Sequence, residues 1–231
     1  MQLNADFTRR AAVHGAALDW VSSPAAGVER RMLDRIGDEV ARATSIVRYA
    51  PGSAFAPHVH GGGEEFLVLE GVFQDEHGDF PTGAYVRNPP TSSHTPASGP
   101  GCVILVKLWQ FDPDDRTAVR LSADRVAEAP VGDRPGVWAR LLHRDARETV
   151  RIERWAPGAE VRARPRGGLE LFVLEGGFDE AAERFARWSW LRLPVGAPLH
   201  ARAGRSGATL YVKEGHLPFA AAPRVDDPGA E

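Results

Sequence analysis

The chain has 231 residues, of which 43% are hydrophobic and 26% charged, and its formal net charge is −3 at pH 7. Because it lacks a basic excess and any apolar run long enough to cross a bilayer, we expect neither nucleic acid nor a membrane as a partner. The N-terminal residues contain no apolar signal core, so the cytoplasm is the expected location, and the single cysteine, Cys102, excludes an intrachain disulfide and a CxxC centre.

Short apolar runs punctuated by glycine and proline extend along the whole chain. The 24 glycines and 18 prolines separate segments rich in valine, leucine, isoleucine and aromatic residues. This rhythm is typical of an all-β sandwich or barrel with many short strands. Helix is expected only over residues 7–18 and for a turn or two near residues 180–184. The segment from residue 220 to the end has no apolar period, so we expect a flexible tail.

The sequence contains an internal repeat of about 105 residues. RYAPG at residues 48–52 recurs as RWAPG at 154–158, and FLVLEGVF at 66–73 recurs as LFVLEGGF at 171–178. Two domains of about 100 residues each are the natural interpretation. We therefore predict a first barrel over residues 1–120, a linker over 121–136, a second barrel over 137–219 and a tail over 220–231. Phe66, Val68, Tyr85 and Val106 are expected to line the first barrel.

Four potential metal ligands cluster in the first copy. His58 and His60 are two residues apart on a predicted strand, so both imidazoles project from the same face. A flexible triple-glycine turn leads to a second strand that begins at Glu64, and His94 follows on a third element. Three imidazoles and a carboxylate suit a divalent ion such as zinc, iron(II), manganese or nickel.

The spacing of these residues resembles the two motifs of the cupin superfamily. The first motif is matched by Gly52-x5-His58-x-His60-x3-Glu64-x6-Gly71, and the second by Gly83-x5-Pro89 followed by His94, with Thr91 at its usual glycine and Ser98 where asparagine is common. The closer resemblance is to ChrR-like cupins, the metal-binding domains of an anti-sigma factor family. It covers residues 18–112 well and the second copy more weakly.

The resemblance implies a particular fold and metal site. The fold is a double-stranded β-helix, or jelly-roll barrel, in two tandem copies. The ion is typically zinc, held at the positions of His58, His60, Glu64 and His94. Glu65 is the neighbouring alternative, which strand alternation turns away if Glu64 points inward.

The second copy does not repeat the ligand set. Alignment from Gly158 puts arginines at the two histidine positions, and alignment from the LEG triplet puts Ala163 and Pro165 there. Glu170 and His200 remain, which are too few to hold a metal. We therefore expect a metal-free second barrel that acts as a scaffold or binds an anion through its arginines.

Three functions compete at this stage. The favoured one is a regulatory or ligand-sensing protein related to anti-sigma factor cupins. Because the chain lacks the CxxC of the family's sigma-binding domain, we do not expect it to sequester a sigma factor in the usual way. The alternatives are a metal-dependent dioxygenase acting on a small diketone or hydroxy-ketone, and a storage or scaffold protein. A small-molecule ligand and a homodimer are the partners considered.

Overall fold

A computed structural model describes residues 1–38 and 40–223 as an almost entirely β-stranded chain. These residues contain no α-helix, only three short 3-10 turns at Gly15–Ala17, Ala123–Arg125 and Leu217–Phe219. None of the helical turns in these ranges is long and apolar enough to span a membrane. The prediction of an all-β fold is therefore confirmed.

The described residues form twenty-two strands. The first fourteen are β1 (Gln2–Leu3), β2 (Ala11–His14), β3 (Val21–Ser22), β4 (Val28–Gly37), β5 (Ala41–Tyr49), β6 (Ser53–Ala54), β7 (His58–Val59), β8 (Glu64–Asp75), β9 (Gly78–Pro81), β10 (Ala84–Asn88), β11 (Ser93–His94), β12 (Ala97–Ser98), β13 (Cys102–Leu108) and β14 (Val119–Ser122). The remainder are β15 (Ala129–Pro130), β16 (Val137–Arg144), β17 (Thr149–Trp155), β18 (Glu160–Ala163), β19 (Leu169–Glu180), β20 (Glu183–Ala186), β21 (Ser189–Leu193) and β22 (Leu199–Glu214).

The chain forms two compact units. The first contains Met1–Ala5 and Asp19–Ser122, together with the described end of the chain from Ala221, and the second contains Asp6–Leu18 and Ala123–Ala220. The sequence-based division placed all of residues 1–120 in the first barrel, whereas here residues 6–18 belong to the second unit. Within 121–136 the chain completes β14, makes a 3-10 turn and forms β15.

The two units share one antiparallel strand order. In the first, β4, β5, β13, β8, β10 and β14 are neighbours in that order; in the second, β16, β17, β22, β19, β21 and β2 are. The last position is filled by β14 in one unit and by β2 in the other. This edge pairing explains why residues 7–18, where a helix was expected, contain only the 3-10 turn at Gly15–Ala17. The backbone of β2 bonds to β21 instead, so tertiary pairing outweighs local helix propensity.

Alternation along the strands builds the core of the first unit. Phe66 and Val68 lie on one face of β8, opposite Val106 and Ile104 on β13, and all four are buried. This confirms three of the predicted lining residues. Tyr85 is also buried, but it lies on the other face of β10, outside this cluster, so its assignment was wrong. Of the predicted tail, residues 224–231 lie outside the described residues.

Candidate metal centre

Three histidine side chains converge in the first unit. His58 and His94 are directly opposite each other where β7 pairs with β11. His60 follows β7, and its backbone N–H donates to the carbonyl of Ser92 at 2.8 Å. The ring centroids are 4.6–5.1 Å apart, and one nitrogen from each ring lies within 4.8 Å of the others. The pairing of two very short strands thus gathers residues that are up to 36 positions apart.

Glu64 adds a carboxylate to this cluster. Its Oε2 is 3.4 Å from Nε2 of His60 and 3.5 Å from Nε2 of His94. Asn88, opposite Glu64 on β10, donates from Nδ2 to the same oxygen at 3.3 Å. The side chain is about nine-tenths buried. Glu64 is therefore adjacent to His60 and His94, and of the four predicted residues only His58 is exposed.

The turn between His60 and Glu64 requires glycine for steric reasons. Gly63 has a φ of +76°, and a Cβ there would lie 2.5 Å from the ring of Phe111. A Cβ on Gly62 would lie 2.2 Å from the ring of Trp109. Because both positions are glycine, the backbone can pass close to these two rings and bring Glu64 back towards the histidines.

Two hydrogen bonds determine the tautomers of the buried histidines. The hydroxyl of Ser92 donates to the carbonyl of Pro89 at 2.6 Å, so it accepts from Nδ1–H of His60 at 3.1 Å. Asp75 accepts from Nδ1–H of His94 at 3.2 Å. Both rings therefore present the Nε2 lone pair to Glu64, which is how a metal-ligating imidazole is held.

Within residues 1–38 and 40–223, the Nε2 atoms of His60 and His94 have no hydrogen-bond partner although they are buried. Burial lowers the pKa of His60 to about 3 and that of His94 to about 4, so both rings are neutral at pH 7. Burial also raises the pKa of Glu64 to about 7. An unsatisfied buried nitrogen normally costs about 1–3 kcal/mol, so two such atoms aimed at one carboxylate require an explanation.

A metal ion fits this arrangement. Two ligand atoms about 2.1 Å from a zinc ion, at the tetrahedral angle, lie about 3.4 Å apart. The separations of 3.4 and 3.5 Å from Glu64 to the two histidines match this value. Neutral imidazoles and a carboxylate are ligands of the kind that zinc and other borderline ions take. The residues present therefore suit a divalent cation.

Glu65 faces away from the cluster. Its Oε2 accepts from the Arg87 guanidinium at 2.9 Å, and both side chains are buried.

Sequence reasoning missed Asp75, Ser92 and Asn88 because their roles depend on non-local pairing. Ser98, at the position where the second motif often has asparagine, instead donates to the carbonyl of Val72 at 2.7 Å.

The second unit carries apolar residues at all four ligand positions. Strand pairing aligns Ala163 with Leu199, as it aligns His58 with His94 one repeat earlier. By the same spacing of 105 residues, Pro165 and Leu169 correspond to His60 and Glu64. Glu170 corresponds to Glu65, and its carboxylate pairs with His216 at 2.8 Å. His200 is exposed, opposite Arg162.

Another cluster of potential ligands, in the second unit, is already neutralised by protein groups. His143, Asp145 and Glu148 have ligand atoms within 4.8 Å of one another. Nε2 of His143 is 3.1 Å from Asp145, and Glu148 forms a buried ion pair with Lys213 at 2.9 Å. An ammonium group in contact with Glu148 opposes a second cation, so this cluster does not resemble a metal centre.

Comparison with known families agrees with the fold and the repeat. The family model described as the ChrR cupin-like domain matches residues 8–112 and again residues 117–218. The chain therefore belongs to the family of ChrR cupin-like domains and contains two copies, which makes it a bicupin. No curated protein matches it.

Solved structures with the same fold have diverse descriptions. A Nostoc punctiforme PCC 73102 protein with a provisional dioxygenase assignment is 14% identical, with a TM-score of 0.68, over 96% of this chain and 84% of that one. Protein YlbA from E. coli is 14% identical, with a TM-score of 0.67, over 91% and 92%. Oxalate decarboxylase from Lactobacillus farciminis is 9% identical, with a TM-score of 0.62, over 93% and 88%. At such identities these likenesses establish the fold alone.

Proposed function

We propose that this bicupin is a metal-dependent ligand sensor whose first unit holds one divalent ion through His58, His60, His94 and Glu64. The observation that carries the proposal is the pair of buried, unpartnered Nε2 atoms of His60 and His94 directed at Glu64. Their fixed tautomers favour ligation. Zinc is the proposed ion, because the separations of Glu64 from His60 and from His94 match those between two ligands of a tetrahedral site.

A redox-inactive ion with four protein ligands suits sensing better than oxygen chemistry. When bound, zinc would supply a Lewis-acidic centre at the edge where His58 is exposed. An incoming ligand that displaced the exposed His58 would change the positions of His60 and His94, and through them their hydrogen bonds to Ser92 and Asp75. This couples occupancy of the site to strands β8 and β11.

Elemental analysis of protein purified without a metal-affinity tag tests the proposal. The wild type should contain about one equivalent of zinc, and His58→Ala/His60→Ala should lose it, since two ligands remain. The matched control is His77→Ala/His200→Ala, which removes two exposed histidines outside the cluster. It should retain the metal. No metal after reconstitution, or equal loss in both variants, would refute the site.

A dioxygenase is the alternative, favoured by the exposure of His58. An exposed ligand leaves room on one side of the ion for a chelating diketone or hydroxy-ketone. This alternative requires iron or manganese in place of zinc. Oxygen consumption with acetylacetone by the iron-loaded wild type, absent from His58→Ala/His60→Ala, would replace the sensor by the enzyme. Zinc in the purified protein and no oxygen consumption by the iron form would exclude the enzyme.

A further inference from the structure

The second unit contains a cavity where the first unit has its metal ligands. Its volume is about 270 Å³, near the lower end of small-molecule sites. Ala163, Pro165, Leu169 and Leu199, the residues at the four ligand positions, all line it. In the second copy an apolar wall thus occupies the positions that carry the candidate metal ligands in the first.

The wall formed by β17 and by the turn before β16 is charged. Glu153 is fully buried and accepts from Arg134 at 2.9 and 3.1 Å, from Nε of Arg151 at 2.7 Å and from the indole of Trp155 at 2.7 Å. Arg151 also reaches Glu214 at 3.0 Å. Each guanidinium has five N–H groups, and these contacts use two on Arg134 and two on Arg151. Donors thus remain on two arginines whose side chains are only 13% and 12% exposed.

One lining cation, Arg164, has no partner among the described residues. Arg164 lies between two of the apolar positions, is exposed, and makes no ion pair or hydrogen bond within residues 1–38 and 40–223. The lining includes four arginines against Asp133, Glu153 and Glu214, which leaves a net charge of +1. Glu153 and Glu214 are already paired, so an anion that enters meets unused guanidinium donors.

We propose that this cavity is a metal-independent binding site for a small organic monocarboxylate. The apolar body of the ligand would pack against Ala163, Leu169 and Leu199, and its carboxylate would bind the donors of Arg164 and Arg151. The planar guanidinium matches a carboxylate through two parallel hydrogen bonds, which favours this class of anion. The cavity volume limits the ligand to a small metabolite.

Calorimetric titration of the full chain with hexanoate tests the proposal, with hexan-1-ol as the uncharged match. We expect saturable hexanoate binding that persists after chelator treatment, and much weaker binding of the alcohol. Arg164→Ala should weaken hexanoate about fivefold, the effect of losing one exposed ionic contact. The matched control is Arg166→Ala, an exposed arginine that does not line the cavity, and it should bind like the wild type.

A second variant fills the cavity. Ala163→Phe should abolish hexanoate binding while the protein retains its metal content. If Ala163→Phe does not fold, the comparison of Arg164→Ala with Arg166→Ala is sufficient to test the proposal. Absence of hexanoate binding, equal loss in Arg164→Ala and Arg166→Ala, or unchanged binding in folded Ala163→Phe would each overturn the proposal. Loss of hexanoate binding on removal of the metal by a chelator would also overturn the proposal. So would inorganic phosphate binding as tightly as hexanoate, because phosphate needs no apolar wall.

Discussion

Asp75 accepts a hydrogen bond from Nδ1–H of His94 across 3.2 Å, so the carboxylate determines which nitrogen of that ring faces Glu64. Asp75 is the last residue of β8, and Glu64 is the first. A single strand therefore supplies one proposed ligand at one end and the orienting group of another at the other end. This strand couples the two halves of the proposed site.

We predict that Asp75→Asn lowers metal affinity about 10–100-fold, the usual effect of removing a group that orients a ligating histidine. The amide is uncharged and no longer favours the Nδ1–H tautomer of His94. Competition with a chromophoric chelator would measure the change. Asp79→Asn is the matched control, because Asp79 is exposed and its side chain accepts from Gln74 at 2.7 Å, away from the histidines. Equal affinities of the two variants would contradict the prediction.

We predict that Gly63→Ala destabilises the first unit more than Gly52→Ala does. Both glycines have a φ of +76°, so the backbone strain of an added Cβ is about 1 kcal/mol in each. At Gly52 a Cβ meets nothing within 4 Å, whereas at Gly63 it meets Phe111 at 2.5 Å. The clash should add about 1–3 kcal/mol. Urea unfolding measures the loss of free energy of unfolding in each variant. Equal losses in Gly63→Ala and Gly52→Ala would show that the close approach of Gly63 to Phe111 is unimportant.

We predict a pH-dependent stabilisation of the second unit by Glu153. Burial alone would raise the pKa of Glu153, but Arg151 and Arg134 outweigh it, so the pKa lies below the ordinary 4.5. A carboxyl with a depressed folded pKa contributes stability above pH 4.5 and loses it as the pH falls towards the folded value. At pH 7, Glu153→Gln should cost on the order of 3 kcal/mol.

Calorimetric unfolding between pH 7 and pH 3 checks this. The difference in free energy of unfolding between the wild type and Glu153→Gln should become smaller below about pH 4.5. Glu160→Gln serves as the control, because Glu160 is exposed and its ion pair with the exposed Arg162 is long, at 3.9 Å. A gap that stays constant with pH would show that the charge of Glu153 does not stabilise the fold.

We predict that Cys102 is unreactive in the folded protein. The residue is buried on β13, and burial raises the pKa of its thiol to about 11. At pH 8 only about a thousandth of the thiol is then ionised, and the thiolate is the reactive form. Ellman's reagent should label the protein quickly in urea and very slowly without it. Rapid labelling of the folded chain would contradict the burial of this strand.

Much of the candidate site could be predicted because the spacing of its residues along the chain identifies them. His58 and His60 are two residues apart, and the glycines and Pro89 punctuate the strands around them. The orienting groups could not be predicted. Asp75 lies in a polar hairpin segment, DEHGD, that looks purely solvent-exposed, and its contact with His94 depends on how β8 and β11 meet.

The second repeat was harder to interpret because two alignments competed. Anchoring at Gly158 placed arginines at the histidine positions, whereas the LEG anchor placed Ala163 and Pro165 there. The pairing of Ala163 with Leu199 shows that the alignment from the LEG triplet is the correct one. One residue of slippage changes which side chain faces inward, so register had to come from the strand ladder.

The sequence by itself determined the all-β class, the two copies of the repeat and the four candidate ligands, because each depends on periodicity or spacing along the chain. The tertiary structure alone decided that β2 joins the second unit, that Asp75 and Ser92 orient the histidines, and that an arginine-lined cavity replaces the ligand set. These features depend on pairing between distant strands, where the register selects each neighbour and a local pattern contains no information about it.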